Sequence, residues 1–95
     1  MRENALEKKL RKAVEQAGGF CLKLPANFYR GIPDRMVLLP GGRVIFVELK
    51  TERGRVADVQ SAFQKILLNL GFTSLIVRGI AETEEFINAY LKDPV

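Results

Sequence analysis

Ninety-five residues are enough for one domain with a modest hydrophobic core, and 47% apolar with 27% charged residues is ordinary globular composition. A single cysteine, Cys21, excludes an intramolecular disulfide, and the absence of histidine removes the commonest general base and zinc ligand. Any chemistry must rest on carboxylates, lysine, hydroxyls or hard cations. The chain has no apolar run of membrane-spanning length and no signal-peptide core, so a cytoplasmic setting is expected. The net charge of +4 is unevenly spread: residues 1–78 carry +7 and residues 79–95 carry −3. A basic body of this kind suits a polyanionic partner.

Residues 3–17 predict an amphipathic helix, with Leu6, Leu10, Ala13, Val14 and Ala17 at helical spacing and Gly18-Gly19 as the stop. Glu7 sits at the margin of the apolar stripe, either as an i,i+4 partner of Arg11 or as part of a site. Residues 20–24 form a short strand ended by Pro25. The loop that follows holds Phe28, Tyr29 and Arg30, which either pack it onto the body or contact a base and a phosphate.

Two strands, Arg35–Leu39 and Arg43–Lys50, flank Pro40-Gly41-Gly42 as a hairpin. On the second strand Val44, Phe46, Glu48 and Lys50 share one face, while Ile45, Val47 and Leu49 share the other. Both faces are apolar up to Glu48, as in a central strand covered on both sides. A three-residue turn sets Leu39 opposite Arg43 and Asp34 opposite Glu48 on one face, whereas a two-residue turn separates them.

Residues 58–70 predict a helix with Asp58 as N-cap and an apolar stripe of Val59, Ala62, Phe63, Ile66, Leu67 and Leu70. Gln60 lies in its first turn, on the flank of that stripe. Thr73–Arg78 forms a fourth strand, and residues 81–91 a last helix burying Phe86, Ile87, Tyr90 and Leu91. Its acidic first turn suits the helix dipole. The order αβββαβα predicts a single α/β domain over residues 1–95: a mixed sheet flanked by helices, its last two strands parallel across a helical crossover.

Two carboxylates converging from adjacent strands repel unless a cation or ammonium joins them. Asp34 and Glu48 with a hard divalent ion, and Lys50 one strand step further on, constitute a phosphodiester-cleaving site. The Leu49 carbonyl can add a ligand, and Gln60 can hold Lys50, a water or a phosphate. Each residue taken alone also has an ordinary structural role: Asp34 as a turn former, and Glu48 with Lys50 as a strand-end ion pair.

The ordered set Pro33-Asp34 and Glu48-Leu49-Lys50 resembles the PD-(D/E)xK nuclease signature. Gly31-Ile32-Pro33-Asp34, the VELK strand, the glutamine early in the next helix and the LGFTSLIV strand are similar to the VRR-NUC (virus-type replication-repair nuclease) family, in particular to short phage-type members. The resemblance implies a restriction-endonuclease-like fold and Mg²⁺- or Mn²⁺-dependent hydrolysis of DNA. It implies Asp34, Glu48 and Lys50 as catalytic residues with Gln60, and Glu7, or Glu3 one turn away, completing the metal site. It also implies a homodimer acting on branched DNA such as Holliday junctions, in replication, repair or recombination. Lys8, Arg11, Lys12, Tyr29, Arg30, Arg35, Arg53 and Arg55 are the expected DNA contacts. The alternative is a non-catalytic nucleic-acid-binding or assembly module that keeps the nuclease fold.

Overall fold

The computed structural model describes residues 3–92. Helix α1 (Glu3–Gln16) leads into strand β1 (Phe20–Lys23), then the hairpin β2 (Arg35–Leu39) and β3 (Arg43–Lys50). Helix α2 (Asp58–Asn69), strand β4 (Thr73–Arg78) and helix α3 (Gly79–Phe86) follow, and α3 continues into a π-helical turn over Ile87–Leu91. The four strands lie in the order β1-β2-β3-β4, antiparallel across the first two pairs and parallel between β3 and β4. This mixed sheet flanked by helices is the restriction-endonuclease-like architecture expected from the chain.

The hairpin has the three-residue register. Leu39 faces Arg43 and Arg35 faces Val47, so the next step brings Asp34 opposite Glu48. The alternation then sorts side chains to two unlike faces. On one face Val37, Leu39, Ile45, Val47 and Leu49 meet Leu6, Leu10 and Val14 of α1, with Phe86 and Leu91 closing the core. Leu6, Leu10, Val14, Val37 and Val47 have no exposed surface; each such burial stabilises the fold by roughly 2 kcal/mol. On the other face Phe46 meets Phe72 edge-on at 5.6 Å, and towards the far end Glu48 meets α2.

Three expectations need correction. The apolar stripe of α2 does not face the core: Leu67 is its buried residue, while Ile66 and Leu70 are 52% and 69% exposed. The helix is amphipathic, but its apolar side lies largely uncovered. Asp58 is not the N-cap either; the cap is Ala57, whose N–H donates to Gln60 Oε1 at 3.0 Å. Lastly, Arg35 lies not on the surface but on the α1 face of the sheet, with its side chain 7% exposed. An arginine there needs a carboxylate partner, and α1 supplies Glu7. That removes Arg35 from the set of DNA-contacting residues.

Candidate active site

The carboxyl-terminal end of β3, the entrance to β2 and the start of α2 enclose an open cleft of about 610 Å³. Its polar floor is built by backbone pairing. The Leu24 N–H donates to the Asp34 carbonyl at 2.8 Å, fixing Asp34 from the β1 side. The Asp34 N–H donates to Glu48 Oε1 at 3.2 Å, and the Leu49 N–H donates to Asp34 Oδ1 at 3.0 Å. Each carboxylate therefore binds the backbone of the opposite strand, as the hairpin register requires.

Glu48 is deeply set, its side chain 8% exposed, and its second oxygen carries two further donors. Gln60 Nε2 donates to Glu48 Oε2 at 2.8 Å, and Lys50 Nζ stands 3.1 Å from the same oxygen. Gln60 thereby works at both ends. Its carbonyl oxygen takes the Ala57 N–H at the head of α2, leaving its amide nitrogen for Glu48. The opposite amide orientation would set oxygen against carboxylate and N–H against N–H, so the network fixes the rotamer.

Gly31 explains how α2 comes so close. Its φ of +88° is in the left-handed region, and a Cβ there would collide with the Val59 carbonyl. Only glycine lets the loop before Pro33-Asp34 lie on the first turn of α2. That contact keeps Gln60 in reach of β3.

Glu7 lines the same cleft, but it arrives from the α1 face of the sheet. Its carboxylate accepts from Arg35 Nη2 at 2.6 Å and pairs with Lys23 Nζ at 3.3 Å. Burial raises its pKa, while hydrogen bonding and charge from Arg35 and Lys23 lower it; the cations win, and Glu7 titrates below its ordinary value. Arg11 pairs with Glu15 instead, at 3.8 Å. The side chain of Glu3 lies outside the described residues. Among the described residues no three carboxylate, thiol or imidazole groups converge. A cation at this end of the sheet would thus meet the two carboxylates of Asp34 and Glu48 first, a donor set that suits Mg²⁺, which is commonly held by one or two carboxylates and water.

The remaining expected residues are distributed around this floor. Arg30 and Arg55 line the cleft. Tyr29 is exposed and meets Phe63 of α2 edge-on at 5.5 Å. Lys8, Arg11, Lys12 and Arg53 are exposed on the surface. Lys23 was not foreseen: it borders the cleft beside Glu7, and its place follows from the pairing Lys23↔Arg35 between β1 and β2, which alternation alone does not specify.

No family model matches the sequence. The chain is 35% identical over 77 residues to "Putative nuclease p44" of Acyrthosiphon pisum secondary endosymbiont phage 1, covering 81% of this chain and 83% of that protein. Its fold superposes on a solved structure described as "VRR_NUC domain" with a TM-score of 0.84 at 27% identity, covering 93% of this chain and 96% of the other. Relatedness of that extent to a phage protein, and a shared fold with a VRR-NUC domain over nearly all of both chains, place this chain in the VRR-NUC family among its short phage-type members.

Proposed function

We propose that the chain is a metal-dependent endodeoxyribonuclease that hydrolyses phosphodiester bonds in branched DNA such as Holliday junctions, working as a homodimer. The observation that carries the reading is the convergence of Asp34, Glu48, Lys50 and Gln60 on one cleft, with the two carboxylates cross-bonded between β2 and β3.

Asp34, Glu48 and the Leu49 carbonyl would hold Mg²⁺ or Mn²⁺, and Glu7 would join them only by leaving Arg35 and Lys23. When bound, such an ion supplies charge neutralisation at the phosphate and a nucleophilic water at neutral pH. Lys50 presents its ammonium from the Glu48 side, where it can orient the attacking water or stabilise charge on the phosphoryl oxygens. Gln60 keeps the Glu48 carboxylate turned towards the cleft. Arg30 and Arg55 on the cleft wall, and Lys8, Arg11, Lys12, Tyr29 and Arg53 further out, would grip the flanking backbone. A role in replication, repair or recombination follows from the branched substrate.

The dimer reading rests on α2. Tyr29 and Ile66, each more than half exposed, form with Ala62 and Phe63 an apolar surface bordering the cleft at Arg30 and Val59, and the exposed Leu70 follows Ile66 one helical turn on. Contiguous apolar exposure of this kind commonly marks an interaction surface. Its occupant is a second copy, because the helix is self-complementary. Asp58 begins α2 and Lys65 follows two turns later, so an antiparallel pair about a two-fold axis brings opposite charges together, whereas a parallel pair stacks like on like.

The test is a cleavage panel of four-way junction, duplex, single-stranded DNA and RNA, with Mg²⁺, Mn²⁺ or EDTA. Glu48→Ala and Lys50→Ala should each abolish nicking and leave folding and junction binding in place. Cleavage by both purified variants at the wild-type rate refutes the assignment. Tight junction binding with no cleavage under either metal favours the non-catalytic module.

A further inference from the structure

The segment Thr51–Arg55, which leaves β3 directly after Lys50, is not simply a connector. It closes a tight turn, the Gly54 N–H donating to the Thr51 carbonyl at 3.0 Å, and this turn folds back over the lysine. A Cβ added to Gly54 would stand 3.0 Å from Lys50 Cβ and 3.3 Å from Lys50 Cδ. The backbone of residue 54 thus lies against the aliphatic stem of Lys50, and a side chain there would push that stem aside by a few tenths of an ångström.

The turn is itself held from the neighbouring strand. Arg78 is the register partner of Lys50 across β3 and β4, and Arg78 Nε donates to the Gly54 carbonyl at 3.3 Å. The Arg78 N–H donates to Glu82 Oε1 at 2.8 Å, which ties the end of β4 to the first turn of α3. One residue on, Gly79 has φ of +66°, and a Cβ there would lie 2.5 Å from Cγ and 2.6 Å from Oε1 of Glu52. Glu52, from the middle of the turn, therefore packs onto a position that only glycine can fill. Its carboxyl is held below its ordinary value by hydrogen bonding to its own backbone and to that of Ile80, against a smaller opposing effect of burial. Thr83 Oγ1, fully buried, donates to the Gly79 carbonyl at 2.7 Å and fixes this platform on α3.

Taking the nuclease reading above as its basis, we propose that the β4–α3 junction, through Arg78 and Gly79, is a positioning device for the catalytic lysine. It pins the 51–55 turn at Gly54 and Glu52, and the turn walls the Lys50 stem so that its ammonium stays on the Glu48 side of the cleft. Arg78 and Glu52 are positioning residues, since neither touches the reacting atoms. The same turn presents Arg55 to the cleft, so lysine and arginine are set together.

The experiment compares Arg78→Met, Arg78→Lys and Gly54→Ala with wild type and Lys50→Ala, using Mg²⁺-dependent nicking of a four-way junction and separate junction binding in EDTA. Displacing a catalytic group by about 1 Å can cost on the order of a hundredfold in rate. Arg78→Met should lower kcat by about tenfold or more while KM and EDTA binding stay within about twofold, and Arg78→Lys, which keeps a cationic N–H donor, should recover part of the loss. Gly54→Ala, which pushes directly on the stem, should lose more. A Tm within a few degrees of wild type for Arg78→Met separates positioning from loss of fold, and if Gly54→Ala does not fold, the Arg78 pair decides alone. Wild-type kcat in folded Arg78→Met, with Lys50→Ala inactive, overturns the positioning role and leaves the nuclease reading standing. A fall in EDTA binding matching the fall in activity also overturns it, making Arg78 a DNA contact. Undiminished cleavage by Lys50→Ala overturns both.

Discussion

The uncovered face of α2 yields a prediction that separates folding from assembly. Ile66 is 52% exposed in the single chain, so Ile66→Asp removes about half of one side chain's burial from the fold, roughly 1 kcal/mol. In a two-fold dimer through this face the same change appears twice, and each carboxylate is taken out of water with no cation designed to meet it. A conservative 2 kcal/mol for each gives about 4 kcal/mol, or roughly a thousandfold in dimer Kd. Sedimentation velocity across nanomolar to tens of micromolar protein reads this directly. Phe20→Asp is the control, because Phe20 is 60% exposed on β1, at the opposite edge of the sheet from β4. The expected result is a wild-type and Phe20→Asp dimer beside an Ile66→Asp monomer of nearly unchanged Tm. The monomer should still nick one strand, with paired nicks across a junction lost. A wild type that is monomeric at tens of micromolar, or an Ile66→Asp variant that dimerises like it, refutes the assignment of this face.

Two predictions concern the end of the sheet. Glu7 is stabilised as an anion by Arg35 and Lys23, so its contribution to stability is complete above the ordinary value of 4.5 and is lost as pH falls through the lower folded-state value. Glu7→Gln should cost roughly 2 kcal/mol at neutral pH, because Arg35 keeps a hydrogen bond but loses its counter-charge. The variant should also lack this acid limb; urea titrations between pH 3 and 7 that run parallel for the two proteins would contradict it. Gly31→Ala should lower stability by roughly 2 kcal/mol, since the residue must hold a positive φ and its Cβ meets the Val59 carbonyl. Nicking should fall further than the folded fraction does, because Gln60 moves with α2; an unchanged Tm in thermal melts refutes the close approach.

What the sequence made legible is what period and turn length control. Strands β2, β3 and β4 have the bounds their alternation predicts, and the odd-length turn at Pro40-Gly41-Gly42 puts Asp34 opposite Glu48 as the chemistry demands. The α2 stripe was legible as a stripe but not as to its destination. Amphipathic spacing states that an apolar face exists, and a core and a partner chain satisfy it equally. Glu7 shows the same limit in electrostatic form. Its helical row places it at the margin of the buried face, but its partner, Arg35, is 28 residues away and is brought there by the sheet. Arg35 itself read as surface because arginine is rarely buried; its burial depends on Glu7, and neither position is informative without the other.

The site also shows which of its parts has freedom to act. Glu48 receives three donors: the Asp34 N–H, Gln60 Nε2 and Lys50 Nζ. A carboxylate offers about four lone-pair positions, so little acceptor capacity on Glu48 remains for an incoming cation unless a donor withdraws. The Asp34 N–H cannot withdraw, since the Asp34 carbonyl is bonded to β1 and its carboxylate to the Leu49 N–H. Gln60 is tied at its other end to Ala57, and releasing Glu48 would give up the hydrogen bond that its fixed amide orientation supplies. Lys50 is different: its ammonium stands on a long stem with rotatable donors, and its side chain is 20% exposed at the cleft. Under the proposed nuclease reading the lysine is therefore the donor that would exchange between Glu48 and a phosphate, with the Gly54 turn holding that exchange to the cleft side. The arrangement pairs Glu48 with an ammonium and, under the proposed nuclease reading, makes that ammonium the group released towards a phosphate.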